Sequence, residues 1–255
     1  MSTAKPDWYK HAWTLDMKNM SWVEDTQTQV QFIIDELSLR GHERILDLAC
    51  GYGRHALSFA RKGFCVVGVD ITKALIEDAT QTAQAEQLNA AFLHADIRDL
   101  SFCNEFDVVL NLAEGAIGYL ENDAENLKIF DVAARALKPG GRHFINICNA
   151  EHAEQNFPKR TWEAGEKELS IAEFSWNPAT RRMSFGGRQF RYGKVMEEAP
   201  KSLLDGAHPI RLYSIHELQE IYAQRHMEIL GAFSDFHGKA LTSSELELVL
   251  FSKRL

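Results

Sequence analysis

The segment Ile45-Leu46-Asp47-Leu48-Ala49-Cys50-Gly51-Tyr52-Gly53-Arg54-His55 decides the fold class of this 255-residue chain. Its apolar start predicts a buried strand, and the residues after the second glycine predict a helix. Glycine at 51 and 53 removes the side chains that would keep a ligand away from the backbone, and it permits backbone angles that other residues avoid. A strand, a glycine turn and a helix in this order indicate a site for a nucleotide-like cofactor.

Strand-like and helix-like patterns alternate around this turn, from residue 20 to about 148. Helices of roughly a dozen residues between apolar strands are typical of a parallel sheet with helices on both faces. Two more strands near the end of the chain return to this sheet. The sequence therefore predicts a doubly wound, Rossmann-like α/β fold with a seven-stranded, mostly parallel sheet. The predicted strands are 44–48, 64–70, 91–94, 106–110, 142–148, 227–234 and 246–252, and the predicted helices are 21–39, 56–62, 72–86, 123–137 and 215–224.

The chain changes character between residues 160 and 212, where aromatic residues, arginine and glycine are frequent. Strands at 168–176 and 182–192 around the turn Asn177-Pro178 predict an antiparallel β insert. We therefore expect four regions. They are an N-terminal helical cap or lid (1–40), a cofactor-binding α/β core (41–150), a β-rich insert that covers the acceptor site (151–212), and a C-terminal helix and strands that complete the core sheet (213–255).

Two aspartates bear on the choice of cofactor. The run Gly51 to Ala56 also fits the G-x-G-x-x-A form of the dinucleotide fingerprint, and Asp70 at the end of the second strand could hold ribose hydroxyls in either case. Asp47 just before the turn would repel a pyrophosphate, but it would tolerate a cationic ligand. S-adenosylmethionine, which carries a sulfonium and an ammonium group, is such a ligand. A nicotinamide-dependent oxidoreductase stays open as the alternative.

Five motifs in order resemble the class I S-adenosylmethionine-dependent methyltransferases, closely over residues 42–149. They are Leu46-Asp47-Leu48-Ala49-Cys50-Gly51-Tyr52-Gly53, Val67-Gly68-Val69-Asp70, Ala95-Asp96-Ile97, Phe106-Asp107-Val108-Val109-Leu110-Asn111-Leu112 and Leu137-Lys138-Pro139-Gly140-Gly141. The resemblance implies S-adenosyl-L-methionine as cofactor. One departure is Ala49, where the family more often has glycine. We expect the loop shape to survive there with a negative φ.

The resemblance also implies which residues hold the cofactor. Asp70 would accept from the ribose hydroxyls, and Asp96 would accept from the adenine amino group. Arg54 would pair with the methionine carboxylate, or else lie on the surface of the first helical turn. His55 is expected to pack rather than to catalyse. The cofactor-binding set is Ala49, Gly51, Gly53, Arg54, Asp70, Ile71, Asp96, Ile97 and the backbone at Leu112.

Methyl transfer from a sulfonium is a direct displacement, so the enzyme mainly positions the acceptor and excludes water. A phenol or alcohol would also need a proton acceptor. Glu114 and Tyr119 follow the fourth strand, where this family often builds its acceptor pocket, and they are the catalytic candidates. Weaker candidates are His152, Arg191, His208 and His216. The aromatic residues of the insert (Trp162, Phe174, Trp176, Phe185, Phe190, Tyr192) and of the N-terminal segment (Trp8, Tyr9, Trp13, Trp22) are expected to cover the site, although those of the insert could instead form its own core or a homodimer face.

The charge and composition of the chain limit the classes of partner that it can bind. The net charge of -8 gives no general attraction to nucleic acid or to anionic lipid. No apolar run reaches the length of a membrane helix, no signal peptide is expected at the start, and the four cysteines stand singly, so we expect a cytoplasmic protein. The His and Cys positions lack metal-ligand spacing. The sequence thus predicts methyl transfer to nitrogen or oxygen of a small molecule, with a non-catalytic cofactor-binding regulator as a third hypothesis.

Overall fold

The computed structural model describes residues 7–20, 23–164, 168–194 and 202–255. Its main sheet has seven strands in the order β10-β11-β5-β4-β1-β2-β3. Strand β11 is antiparallel to both of its neighbours, and the pairs among β1 to β5 are parallel. The predicted doubly wound fold is confirmed. The strands are β1 Arg44–Leu48, β2 Cys65–Asp70, β3 Ala90–His94, β4 Phe106–Asn111, β5 Leu137–Cys148, β10 Met227–Phe233 and β11 Glu247–Arg254.

Helices cover both faces of this sheet because its central strands are apolar on both sides. In β1, Ile45 packs into one core cluster and Leu46 into the other, and Val108 and Val109 of β4 alternate in the same way. Helices α4 and α6 contribute to the cluster of Leu46, whereas α1 and α2 contribute to that of Ile45. The helices are α1 Thr26–Glu36, α2 Arg54–Arg61, α3 Lys73–Ala85, α4 Asp123–Ala136, α5 Ala150–Asn156 and α6 Ile215–Ala223.

The β insert forms a second, antiparallel sheet in the order β6-β7-β8-β9, with β6 Lys159–Ala164, β7 Glu168–Asn177, β8 Arg182–Arg191 and β9 Ile210–Arg211. Its hairpin has the predicted turn, in which the Asn177 side chain accepts from the backbone N–H groups of Ala179 and Thr180. The short strands β6 and β9 and helix α5 were not predicted. Few residues and weak periodicity leave such elements without a clear sequence signal.

Helix α3 starts where the sequence predicts, with Thr72 at its N-cap, although the Thr72 side chain makes no capping hydrogen bond. Two predicted boundaries were wrong. Helix α1 begins at Thr26 and ends at Glu36, well inside the predicted range 21–39. Lys138-Pro139-Gly140-Gly141 is a bulge within β5 rather than a turn before it, because Phe106 pairs with Leu137 while Val108 pairs with Arg142. Among the described residues no helix is long and apolar enough to cross a membrane.

Candidate functional site

The candidate site lies at the carboxyl ends of β1, β2 and β4, where the strand order reverses direction on either side of β1. Ligands of open α/β sheets bind at such a switch point. The loop from β1 to α2 has positive φ at Ala49 (56°), Gly51 (58°) and Gly53 (76°). A Cβ at Gly53 would lie 2.8 Å from the Phe92 ring, so this position needs glycine for space as well as for its angle.

The expectation of a negative φ at Ala49 is wrong. Its φ of 56° is in the left-handed region, where a residue with a Cβ costs about 1 kcal/mol or more. The loop nevertheless keeps its course, because the Cys50 N–H donates to the Val69 carbonyl at 3.0 Å and the Gly53 N–H to the Cys50 carbonyl at 3.0 Å. The alanine therefore fits the loop at a local cost in backbone strain.

Asp70 joins the glycine loop to the start of α3. One carboxylate oxygen accepts from the Gly51 N–H at 2.9 Å, and the other accepts from the Thr72 N–H at 2.7 Å. A carboxylate has room for about four hydrogen bonds. Asp70 is thus fixed at the sheet edge with acceptor capacity left for ligand hydroxyls.

Asp47 is buried at the end of β1, directly before the glycine loop, and its Oδ2 has no hydrogen-bond partner in the structure. Burial is the main cause that raises its pKa to about 7; nearby Arg54 lowers the pKa, and Asp70 raises it further. A buried acid without a partner is costly to ionise. A cationic group placed against this oxygen would supply the missing partner, and a pyrophosphate would not.

The turn after β3 holds Asp96, which is bound by Arg98. The guanidinium donates to both carboxylate oxygens, with its shortest bond 2.6 Å from Oδ2. Burial opposes ionisation of Asp96, but the hydrogen bonds and charge of Arg98 outweigh it and lower the pKa. Asp96 is therefore an ionised and fixed acceptor. Ile97 beside it is buried, and Ile71 packs partly buried against the same core cluster.

Arg54 and His55 at the start of α2 both contact α1. The Arg54 guanidinium donates to Thr26 Oγ1 at 2.8 Å and to Gln29 Oε1 at 2.9 Å, and the His55 Nε2 lies 2.8 Å from the same Gln29 oxygen. Arg54 is partly buried beneath α1 rather than on an open helix surface. His55 is buried and packed, as predicted from the sequence.

Four consecutive residues after Leu112, from Ala113 to Ala116, have positive φ. Side chains of β4 and β5 hold this left-handed turn: Asn111 Nδ2 donates to the Gly115 carbonyl at 2.7 Å, and Asn146 Oδ1 accepts from the Ala113 N–H at 3.2 Å. The Leu112 carbonyl, the predicted contact of the methionine ammonium, accepts from the Gly115 N–H at 3.1 Å. Strain of this kind is concentrated at functional sites.

Buried hydrogen bonds link Asn111 to His143 and Tyr222. Burial lowers the pKa of His143 to about 3, so its ring is neutral. The His143 Nε2–H donates to Asn111 Oδ1 at 2.9 Å, and its Nδ1 accepts from the Tyr222 hydroxyl at 3.0 Å. Sequence analysis missed these hydrogen bonds, although polar residues inside apolar strands were the available signal.

The structure brings the two catalytic candidates together. Glu114 Oε2 accepts from the Cys148 N–H at 3.3 Å and Oε1 from the Cys148 thiol at 3.1 Å. Burial is the main cause that raises the pKa of Glu114 to about 7. Burial, followed by the Glu114 charge, raises the pKa of Tyr119 well above its ordinary value. Tyr119 therefore stays a neutral phenol, and Glu114 is the better proton acceptor of the two.

The N-terminal segment folds against this loop. The Trp8 ring lies 5.0 Å from that of Tyr119 and stacks on His208 at 4.6 Å, and Trp13 stacks on Tyr119 at 6.2 Å. Trp22 lies outside the described residues. In the insert, Phe174 and Trp176 pack in one cluster with Cys148, whereas Trp162, Phe185 and Tyr192 are exposed. Of the weaker candidates, only His208 joins these aromatic rings; His152 and His216 lie on α5 and α6, and Arg191 ends β8.

The family comparison agrees with this geometry. Residues 45–141 match the model of a methyltransferase domain. The matched stretch holds the glycine loop, Asp70 and Asp96. It agrees with the predicted resemblance to methyltransferases and weakens the oxidoreductase alternative, because the glycine loop and Asp70 on which that alternative rested lie within the matched methyltransferase domain.

Individual relatives resemble about half of this chain. YqeM of Bacillus subtilis, which is named as a methyltransferase, is 31% identical over 160 residues that cover 56% of this chain and 64% of YqeM. A ubiquinone biosynthesis O-methyltransferase of Coxiella burnetii is 29% identical over 48% of this chain and 50% of its own length. The chain thus spans about half to two thirds of these relatives.

A solved structure resembles the whole chain. The CcbJ methyltransferase from Streptomyces caelestis superposes with a TM-score of 0.73 at 18% identity, over 98% of this chain and 95% of its own. At this identity the likeness concerns the fold alone. It extends the shared architecture beyond the methyltransferase domain to nearly all of the chain.

Proposed function

We propose that this protein is an S-adenosylmethionine-dependent methyltransferase that transfers a methyl group by direct displacement to nitrogen or oxygen of a small molecule. The observation that carries the proposal is the buried, unpartnered Oδ2 of Asp47 beside the glycine loop. A cationic ligand would pair with this oxygen, whereas a nucleotide pyrophosphate would be repelled by it. The match of residues 45–141 to a methyltransferase-domain model supports the same conclusion.

The residues of the loop fit the cofactor. In the proposal, Asp70 accepts from the ribose hydroxyls, while Asp96 and Ile97 take the adenine. The ammonium and sulfonium end lies near Asp47 and the Leu112 backbone, and the open backbone at Ala49, Gly51 and Gly53 permits the approach. Arg54 and Ile71 complete the binding set. When bound, the cofactor supplies an electrophilic methyl group, and the protein positions the acceptor and excludes water.

The acceptor is proposed to bind between the Leu112–Leu120 loop and the N-terminal segment. Aromatic rings with a few polar groups suit a small organic molecule. A relative from Coxiella burnetii is named as a ubiquinone biosynthesis O-methyltransferase, which supports a small-molecule acceptor. Glu114 and Tyr119 are the residues that we propose to contact the acceptor, Glu114 as proton acceptor and Tyr119 as a wall and hydrogen-bond donor.

Calorimetric titration with S-adenosylhomocysteine and with NAD tests the cofactor. We expect micromolar binding of S-adenosylhomocysteine and no heat from NAD; binding of NAD alone would refute the proposal. Transfer of tritiated methyl from S-adenosylmethionine to a panel of amines, phenols and alcohols tests the enzyme. Cofactor binding without transfer to any member of the panel would favour the non-catalytic regulator instead.

The remaining expectations of location and partners are proposals. We propose a cytoplasmic protein, since its four cysteines are free thiols and such thiols are typical of a reducing compartment. Its net charge of -8 favours a small molecule over a nucleic acid as substrate. The exposed Trp162, Phe185 and Tyr192 of the insert favour a homodimer contact, which light scattering tests. We also propose four regions: an N-terminal lid (1–40), the cofactor-binding core (41–150), the β-rich insert that covers the acceptor site (151–212), and the C-terminal part that completes the core sheet (213–255).

A further inference from the structure

Glu114 is held in place at a cost. Its φ of 70° lies in the left-handed region, in the middle of the turn from Ala113 to Ala116. A residue with a Cβ is strained in this region, so the hydrogen bonds of Asn111 and Asn146 must offset the strain. The Glu114 N–H itself donates to the Asn146 carbonyl at 2.9 Å. The fold thus presents one carboxylate from a rigid, strained turn at the carboxyl edge of β4.

The surroundings of this carboxylate are acidic. Glu247 at the start of β11 contributes a second negative charge, which raises the pKa of Glu114. Asn146, which holds the turn, also donates to Glu247 Oε1 at 2.8 Å. Among the residues that the structure describes, no lysine, arginine or histidine forms an ion pair with Glu114. An anionic acceptor would be repelled here, and a cationic acceptor would be attracted.

The groups beside Glu114 do not cancel the negative charge of this site. Cys148 donates its N–H and its thiol to Glu114, and burial keeps the pKa of that thiol high, so it stays neutral. Tyr119 is neutral for the same reason. Arg181 and Arg211 of the insert edge both form ion pairs with Glu217.

Aromatic faces complete the surroundings. Tyr119 follows Glu114 in the same loop; Trp13 of the N-terminal segment stacks on it, and the Trp8 ring lies 5.0 Å from it at a tilt of 40°. The faces of such rings attract cations electrostatically. His208 stacks on the Trp8 ring at 4.6 Å and so covers one face of it.

We propose that the methyl acceptor is an amine that arrives as its ammonium form and is held by the Glu114 carboxylate and the aromatic rings of Tyr119, Trp8 and Trp13. This inference deepens the proposed methyl transfer and rests on it. Glu114 takes one proton from R–NH3⁺ and leaves R–NH2. The nitrogen lone pair then forms the new C–N bond as the methyl–sulfur bond breaks, which gives the methylated ammonium and a neutral thioether. The proton on Glu114 leaves to water.

The charge of Glu114 suits this step. Burial, opposed by the Cys148 hydrogen bonds and assisted by Glu247, raises its pKa to about 7, so the carboxylate can take up a proton near neutral pH and release it again. An alcohol would need a much stronger base, and a carboxylic acid would enter as an anion against two acidic side chains. The amine is the acceptor class that this arrangement favours.

Methyl transfer to matched acceptors tests the inference. Each amine of the panel is paired with the alcohol and the carboxylic acid of the same carbon skeleton, such as benzylamine, benzyl alcohol and benzoate, or glucosamine, glucose and glucuronate. Tritium transfer from labelled S-adenosylmethionine is measured for each. We expect transfer to amines alone. Transfer to an alcohol or acid in preference to its amine, or to no amine of the panel, would overturn the inference.

The variant Glu114→Gln tests the proton acceptor. At pH 7 we expect kcat/KM for the accepted amine to fall by about 100-fold, and the deficit to shrink as the pH approaches the amine's own pKa, where free amine is abundant. Glu220→Gln, an exposed change on α6, is the matched control and should leave the rate unaltered. A Glu114→Gln rate equal to that of the control, or a deficit that does not depend on pH, would contradict the assigned role.

Binding of S-adenosylhomocysteine distinguishes a failure of the proposed function from a failure of the inferred acceptor class. If neither the unchanged protein nor Glu114→Gln binds it, the proposed function itself fails. If both bind it with similar affinity and an alcohol, phenol or acid is methylated while no amine is, only the acceptor class is wrong; if no acceptor at all is methylated, the proposed function fails as well. Similar affinity in Glu114→Gln also shows that the variant is folded.

Discussion

Replacing Asp47 by asparagine should have opposite effects on the stability of the free protein and on cofactor binding. The side chain is 2% exposed and its Oδ2 has no partner, and burial raises its pKa from the ordinary 3.8 to about 7. At about 1.4 kcal/mol for each tenfold change in the protonation equilibrium, ionised Asp47 costs the fold about 4 kcal/mol at pH 8. Asparagine keeps the shape and removes the charge.

The sign of the pH dependence follows from the raised pKa. Between pH 3.8 and about 7 the unfolded chain has released the Asp47 proton while the folded chain retains it, so stability falls as pH rises through this window. The gain from Asp47→Asn is therefore about 4 kcal/mol at pH 8 and about 1.5 kcal/mol at pH 5. Denaturant unfolding followed by circular dichroism at both pH values measures it, with the exposed Asp35→Asn on α1 as control.

Cofactor binding should change in the other direction. Because a cationic ligand favours the ionised carboxylate, the unchanged protein should bind S-adenosylhomocysteine more tightly at pH 8 than at pH 5. Asp47→Asn should lose about 1.5 to 3 kcal/mol of binding at pH 8, the scale of a hydrogen bond to a charged group, and most of its pH dependence. A variant that is less stable than the unchanged protein at pH 8, or an unchanged protein that binds S-adenosylhomocysteine equally well at pH 5 and pH 8, would refute the reasoning.

Three further changes test single residues of the site. Asp70→Ala removes the acceptor of the Gly51 N–H and of the ribose, and should weaken S-adenosylhomocysteine by about 1.5 to 3 kcal/mol in calorimetry; unchanged affinity would mean that the site is misassigned. Ala49→Gly relieves a φ of 56° and should raise the free energy of unfolding by about 1 kcal/mol; a decrease would exclude the left-handed angle. Tyr119→Phe keeps the ring that packs against Trp8 and Trp13, so kcat/KM should fall less than tenfold, a loss of transition-state stabilisation below about 1.4 kcal/mol. A loss of about 100-fold would make Tyr119 the proton acceptor instead.

The parallel core was predictable because its signals are local. Strand β1 has the predicted bounds Arg44–Leu48, and Ser214 caps α6 with Glu217 in a capping box, both from short-range patterns. The Lys138-Pro139-Gly140-Gly141 stretch misled because proline and glycine signal a chain break, whereas the pairing with β4 continues on both sides of a bulge. Register between strands is a tertiary property and leaves little trace in one sequence.

The candidate site was predictable only in part. Asp47, Asp70 and Glu114 stood out because they lie near the carboxyl ends of buried strands, Asp47 and Asp70 within β1 and β2 and Glu114 just after β4, and the structure places all three at the same sheet edge. The angle of Ala49 was wrong because residue size alone does not reveal φ. The stacking of Trp8 on His208 and the His143–Asn111 chain join residues more than thirty positions apart, which no local pattern could indicate.

The most direct test of the central claim is a crystal structure with S-adenosylhomocysteine bound. We expect the ribose hydroxyls on Asp70, the homocysteine ammonium near Asp47 and the Leu112 carbonyl, and the sulfur facing the space between Glu114 and Tyr119. A ligand that leaves Asp47 Oδ2 without a partner, or that binds away from the glycine loop, would contradict the account.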